Sequence, residues 1–105
     1  MINCCFKKKN GNIFSFEMSG HAGNAEYGKD IVCAAVSSAS ELTIHLCEEY
    51  YKTNPLVDIK GNGELKFTAR ENLSEASKLL SGLMDYFEAV KTDYPQCISI
   101  KILEV

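Results

Sequence analysis

Two short runs rich in Ile, Phe and Cys open the chain, and Asn10-Gly11 separates them. An Asn-Gly pair between such runs is the strongest short-range signal of a β-hairpin. In the second run Ser15 and Glu17 alternate with apolar side chains, so one face should be buried and the other solvated. We therefore predict strands over residues 2–8 and 12–18. The apolar residues expected in the core are Phe14, Phe16 and Met18.

The hydrophobic period changes after Asp30. Apolar residues then recur at three- and four-residue steps, which places them on one side of a helix running to about Tyr50. Asp30 has the side chain of a good N-cap, because a carboxylate can accept the unpaired backbone N–H groups of the first turn. We predict a helix that begins near Ile31. Its apolar stripe is Val32, Ala35, Val36, Ala39, Leu42 and Leu46.

The remainder of the chain repeats the pattern of a hairpin followed by a helix. Alternating residues on both sides of Gly61-Asn62-Gly63 predict the second hairpin, with Val57 and Ile59 before the turn and Leu65, Phe67 and Ala69 after it. A second helix opens at about Asn72, where Glu75 would complete a capping box, and Pro95 ends it. Its apolar stripe is Leu79, Leu80, Leu83, Phe87 and Val90.

A last strand is predicted from Cys97 to Val105, with Ile98, Ile100 and Ile102 on one face. The element order is therefore ββαββαβ. Two hairpin-plus-helix units and a closing strand predict one α+β domain over residues 1–105. We expect two layers, a mainly antiparallel five-stranded sheet and two helices packed against it.

Composition narrows the function classes. The chain has 105 residues, 46% of them hydrophobic, which suits one globular domain with a real core. A net charge of -3 argues against direct nucleic-acid binding, and the basic run Lys7–Lys9 reads as a solvated hairpin tip. No secretion signal or long apolar run is evident, so we expect a cytoplasmic protein without membrane contact. The five cysteines lack C-x-x-C spacing and should be free thiols.

The segment from Ser19 to Lys29 lacks apolar periodicity and contains Gly20, Gly23 and Gly28. It is predicted to be a surface loop with unusual backbone freedom, and loops of this length in small domains are often functional. His21 follows the second strand directly. Cys33 is expected in the first turn of the next helix, off the apolar stripe and on the same face as Ser37.

A helix N-terminus favours a thiolate, because its unpaired N–H groups carry partial positive charge, and a nearby imidazolium adds to the effect. The same N–H groups could stabilise an oxyanion. Cys33 therefore suits a nucleophile and His21 its base, and Ser37 would lie at the floor of a cleft. The commoner readings are a small buried cysteine and a solvated loop histidine. Residue spacing alone does not decide between the catalytic interpretation and these commoner ones.

The other candidate sites are weaker. Cys4, Cys5, Cys47 and Cys97 lack a local activating feature and are predicted to serve packing. A zinc site made of His21, Cys33, His45 and Cys47 would need ligands from two ends of a helix, about 18 Å apart. We expect no metal site from these residues. The glycine loop could hold an anion beside Lys29, but it lacks the phosphate-binding spacings, and Asp30 would repel a phosphate.

The run Gly20-His21-Ala22, then Gly28, then Asp30 to Ser37, resembles the signature of the ribosomal-processing cysteine protease family, Prp. The resemblance implies a cysteine endopeptidase that removes an N-terminal extension from a large-subunit ribosomal protein. It implies that His21 and Cys33 are the catalytic pair and that the glycine-rich loop moves aside for substrate. It also implies a homodimer without metal or organic cofactor. Asp30 and Ser37 would support the site.

Two other functions compete with this interpretation. The first is a non-catalytic module that binds an extended peptide along a sheet edge. The second is an anion- or nucleotide-binding domain built on the glycine loop and the first-helix N-terminus.

Overall fold

The computed structural model describes residues 1–20, 29–60 and 63–105. Within these ranges the order of elements is the predicted ββαββαβ. The strands are β1 (Ile2–Lys9), β2 (Asn12–Ser19), β3 (Leu56–Ile59), β4 (Leu65–Thr68) and β5 (Ile98–Glu104). The helices are α1 (Lys29–His45) and α2 (Leu73–Asp93). A π-helical turn at Leu46–Tyr50 continues α1 to the predicted end of the helix.

The strands form one sheet in the order β3-β4-β2-β1-β5. Every pairing is antiparallel except that of β1 with β5, which is parallel. One face of the sheet packs against the helices, and aromatic rings join the layers: the centroids of Phe6 and Phe87 lie 6.0 Å apart, and those of Phe6 and Phe16 5.7 Å. The prediction of a two-layer α+β fold with a mainly antiparallel sheet is confirmed.

The first hairpin has the predicted tight turn, since Asn10 and Gly11 both have positive φ, 52° and 84°. A β-bulge interrupts β2, because Lys7 pairs with Ser15 while Lys8 pairs with Ile13. Phe14 is the extra residue and is only half-buried, so its predicted place in the core is wrong. Phe16 and Met18 are buried as predicted.

Ser15 is also buried, contrary to the prediction of a solvated face for this residue. Its hydroxyl donates to the carbonyl oxygen of Phe67 at 2.8 Å, which satisfies the polar group. The neighbouring Glu17 is half-buried and pairs with Lys7 at 3.1 Å. The open face of the sheet is therefore polar without being fully solvated.

The buried stripe of α1 differs from the predicted one. Leu42 is 59% exposed, so its place on the stripe is wrong, and Ser40 and Thr43 are buried instead. Their hydroxyls donate to the carbonyl oxygens of Val36 and Ala39, each at 2.8 Å. Because these hydroxyls bond to the turn before them, small polar residues can lie on the buried face of a helix.

Asn72 precedes α2 as predicted, but the capping box is wrong. Asn72 has a left-handed backbone, with φ of 50°, and its side chain does not cap the helix. The side-chain amide donates instead to the carbonyl oxygens of Tyr51 and Lys52, at 3.2 and 2.9 Å. The Asn72 side chain therefore links the residues that follow the π-helical turn to the start of α2 through hydrogen bonds. The buried residues of α2 are Ala76, Leu80, Leu83 and Phe87.

The predicted apolar face of β5 is only partly buried. Ile98 is fully buried, whereas Ile102 on the same edge strand is 50% exposed. Among the described residues, one helical stretch, Ile31–Tyr50, is long and apolar enough to span a bilayer by length and composition, with a mean hydropathy of 1.2. Core helices of globular domains meet the same criterion, and Val32, Val36 and Cys47 in this stretch belong to the core.

Candidate active site

Helix α1 starts earlier than the sequence suggested. It begins at Lys29, so the backbone of Asp30 is already helical and the predicted N-cap at Asp30 is wrong. Cys33 is consequently the fifth helical residue, at the start of the second turn rather than in the first. The apolar periodicity used to predict the start of α1 gives no signal for the polar residues of the first helical turn.

This shift changes which amides can serve the thiol. In an α-helix the amides of the N-cap residue and of the first three helical residues have no intrahelical partner, so within the described part of α1 the unpaired amides belong to residues 29–31. The Cα–Cβ bond of a helical residue tilts towards the helix N-terminus, so the Cys33 side chain leans back over that first turn. The thiol therefore lies towards the positive end of α1 although its own amide is inside the helix.

A cavity of about 150 Å³ opens beside Cys33. Cys33 is half-buried, and Ser37 lines the same cavity one helical turn further on. The prediction that these two residues share a cleft-lining face is confirmed. The other walls come from Ile2, Met18, Gly20, Val36 and Gly63.

Gly20 closes the cavity at the end of β2. Its φ is +84°, and a Cβ at this position would collide with the Met1 carbonyl oxygen. A glycine is required there because the backbone has a positive φ and passes directly against the residue before β1. The predicted loop residues Gly23 and Gly28, and the predicted catalytic residue His21, lie outside the described residues.

A second cavity of about 120 Å³ adjoins the first. The two share Met18, Ser37 and Gly63 as lining residues, so together they form one cleft between α1 and the β3–β4 hairpin. Sequence reasoning missed this part of the cleft. The alternation of β3 and β4 predicts which residues pair, but it carries no signal that the hairpin end borders the face of Cys33.

All five cysteines are thiols outside disulfides, as predicted. Cys4, Cys47 and Cys97 are buried in the core, and Cys5 is half-buried. Burial raises the pKa of Cys4 to about 12, with a smaller contribution from Cys5. Burial also raises the pKa of Cys47 to about 11, although a hydrogen bond from Thr53 opposes the shift. These two thiols are held in the neutral form and suit packing.

The ring of His45 is exposed, lies 5.9 Å from that of Tyr50, and follows Cys33 by about three turns of α1. Within residues 1–20, 29–60 and 63–105, no group of three or more His, Cys, Asp or Glu side chains could hold a metal ion. The expectation of a site without metal or cofactor remains a prediction.

Comparison with known proteins gives concordant matches. The family model described as cysteine protease Prp matches residues 1–99. The ribosomal processing cysteine protease Prp of Bacillus subtilis (strain 168) is 34% identical over 88 residues, which cover 78% of this chain and 79% of that protein.

Solved structures agree in fold. The crystal structure of an essential ribosomal processing protease Prp from S. aureus, in complex with a covalently linked product peptide, matches with a TM-score of 0.87. It is 24% identical and covers 97% of this chain and 99% of its own. SMU.848 from Streptococcus mutans matches with a TM-score of 0.82 at 28% identity, over 100% of this chain and 96% of that chain.

Proposed function

Because this chain belongs to the Prp family of cysteine proteases, which process ribosomal proteins, we propose that it removes the N-terminal extension of a large-subunit ribosomal protein. The chain is a cysteine peptidase. We propose that His21 and Cys33 form its catalytic pair.

The reaction would proceed through an acyl-enzyme. The Cys33 thiolate attacks the scissile carbonyl carbon, and the carbonyl electrons move onto oxygen to give a tetrahedral oxyanion. The oxyanion collapses, the C–N bond breaks, and the His21 imidazolium protonates the leaving amine. The neutral imidazole then takes a proton from water, whose oxygen attacks the thioester. Collapse releases the carboxylic acid, which loses its proton to solvent, and regenerates the thiolate beside the imidazolium.

One observation carries this proposal: Cys33 lines a side-chain-sized cavity close to the N-terminal end of α1. The unpaired amides of the first turn can donate to the oxyanion, and one such donor typically contributes about 3 kcal/mol to transition-state stabilisation. Ser37 supports the cleft floor one turn away. Asp30, inside the first turn, would support the helix end rather than cap it.

The loop that carries Gly20, Gly23 and Gly28 is proposed to move when the peptide enters. We further propose that the enzyme works as a cytoplasmic homodimer, without a metal or organic cofactor. Its substrate in this proposal is the ribosomal protein extension. Direct contact with nucleic acid or a membrane is not required for the reaction.

The test is cleavage of a peptide that copies the ribosomal protein extension, followed by mass spectrometry. The wild type should cut it, while Cys33→Ala and His21→Ala should each lower the rate by at least about 100-fold. Cys5→Ala is the matched control, because Cys5 is also half-buried but lies on the other face of the sheet. An uncut peptide with the wild type, or equal cutting by Cys33→Ala, would refute the protease and favour the peptide-binding alternative.

A further inference from the structure

The cleft continues beyond the cavity that contains Cys33. Its second compartment begins at Ser37, which both cavities share, and extends past Ser40 and Glu41 on α1. The opposite wall is made by Ile59 of β3 and Leu65 of β4. Nothing in the reaction described above uses this second compartment, which we name the distal arm.

The size of the distal arm matches one side chain. Its volume is about 120 Å³, and a protein cavity of roughly 150 Å³ is large enough to hold a benzene molecule. The arm is therefore too small for a folded partner and too large for a single water. A side chain of an extended peptide is the occupant that fits both its size and its connection to Cys33.

The lining of the distal arm defines the chemistry of that side chain. Met18 and Leu65 contribute buried apolar side chains to the lining, and Ile59 contributes one that is 64% exposed. Ser40 adds little polarity, because its hydroxyl already donates to the Val36 carbonyl oxygen at 2.8 Å. An apolar stem is therefore favoured inside the arm.

Among the described residues that line the distal arm, acidic side chains outnumber basic ones. The acidic residues are Glu41 and Glu64, and the basic residue is Lys60, whose Nζ lies 3.9 Å from a Glu64 carboxylate oxygen. A substrate carboxylate entering the arm would meet an unfavourable potential, whereas a neutral tip or an ammonium would not.

The distance along α1 fixes which substrate residue reaches the arm. Ser37 and Glu41 lie one and two turns beyond Cys33, or about 6 and 12 Å along the helix axis. An extended peptide advances about 3.3 Å per residue. A side chain that enters the arm midway between Ser37 and Glu41, about 9 Å beyond Cys33, is consequently about two to three residues from the scissile bond of a peptide that runs along α1.

We propose that the distal arm is a specificity subsite in which Ile59 and Glu41 select the side chain two to three residues from the scissile bond. The subsite accepts an apolar side chain, or one with an apolar stem and a cationic tip, and rejects a carboxylate. This inference rests on the proposed protease function, because that function brings a peptide to Cys33.

The experiment uses copies of the ribosomal protein extension in which the second and third residues on either side of the cut are replaced by Ala, Leu, Lys or Glu. Two readouts are taken: the kcat/KM of cleavage, and the protection of Cys33 from alkylation by iodoacetamide. At one of these positions the wild type should cut the Leu and Lys peptides with a kcat/KM about 10-fold higher than the Ala peptide, and the Glu peptide should have the lowest kcat/KM.

Variants assign the preference to particular residues. Ile59→Ala should reduce the advantage of Leu over Ala to less than about threefold. Leu56→Ala is the matched control, because Leu56 lies on the opposite face of the same strand and is 58% exposed. Glu41→Gln should lower the kcat/KM for the Lys peptide by about two- to fivefold and should raise the kcat/KM for the Glu peptide. Glu49→Gln, further along the same helical stretch, should change neither.

The two readouts separate the subsite from the protease activity. If peptides are cut but Ile59→Ala and Glu41→Gln behave as their controls, the subsite is wrong and the protease stands. If no peptide is cut but protection of Cys33 follows the predicted order in a manner dependent on Ile59, the subsite stands and the protease is wrong. Equal protection by every peptide, without cleavage, overturns both.

Discussion

Replacing Gly20 with alanine should destabilise the protein more than the same change at Gly11 or Gly82. The substitution has two costs. A left-handed backbone, here with φ of +84°, costs an alanine about 1–2 kcal/mol. The new Cβ also meets the Met1 carbonyl oxygen, and overpacking of this kind adds about 1–3 kcal/mol. The expected loss is about 2–5 kcal/mol of unfolding free energy.

Two control substitutions separate these costs. Gly11 also has φ of +84° but has open space where a Cβ would go, so Gly11→Ala should cost only the backbone contribution of about 1–2 kcal/mol. Gly82 lies within α2 and likewise has open space around the position that a Cβ would occupy, so Gly82→Ala should stabilise by about 0.5–1 kcal/mol. The three variants therefore differ in sign and in size.

Urea denaturation of the three variants, followed by circular dichroism, measures these free energies from the shift in midpoint at constant slope. The collision with Met1 is difficult to relieve, because the neighbouring Ile2 amide donates to the Cys97 carbonyl oxygen at 2.8 Å. Equal losses for Gly20→Ala and Gly11→Ala would refute the argument, since the close approach to Met1 would then have no energetic effect.

Three further results are expected. At neutral pH iodoacetamide should label Cys33 at least about 10-fold faster than Cys4 or Cys47 in the folded protein; mass spectrometry after short exposures would contradict this if Cys4 were labelled first. Because the pKa of Cys47 rises to about 11 on folding, both states keep the proton below about pH 9, and only the unfolded state loses it between about pH 9 and 11. Wild-type stability should therefore fall by about 1–3 kcal/mol more than that of Cys47→Ala over this range in reducing urea titrations, and parallel curves would refute it. Thr53→Val should cost about 1–2 kcal/mol at pH 7, because the Thr53 hydroxyl donates to the Cys47 carbonyl oxygen at 3.1 Å in a fully buried position; an unchanged urea midpoint would show that this hydrogen bond contributes nothing.

The helices and strands were predicted well, because most of the signals that specify them come from residues close in sequence. Asn10-Gly11 specified its turn through backbone preferences alone, and the period of the apolar residues located both helices. The face shared by Cys33 and Ser37 followed from helical spacing, which depends on nothing outside α1. These features needed no knowledge of the tertiary fold.

The errors arose where distant residues decide the outcome. The bulge at Phe14 depends on the pairing of β2 with β1, and no property of Phe14 itself announces it. Asn72 has the side chain of a cap, but the nearby carbonyls of Tyr51 and Lys52 recruit its amide instead. The distal arm escaped prediction for the same reason: its walls come from α1 and from a hairpin that reaches the cleft only in the folded protein.

The parallel pairing of β1 with β5 has a consequence for the order of events during synthesis. It joins residues as distant as Asn3 and Ser99, whose side chains are hydrogen-bonded although they are 96 residues apart. Contacts of such high sequence separation form late and slow the folding of a domain. Ile2, which lines the cavity of Cys33, is secured by this same strand pair. A nascent chain in which β5 has not yet been synthesised would therefore emerge from the ribosome with an incomplete cleft. Its proteolytic activity would begin only after β5 has been translated.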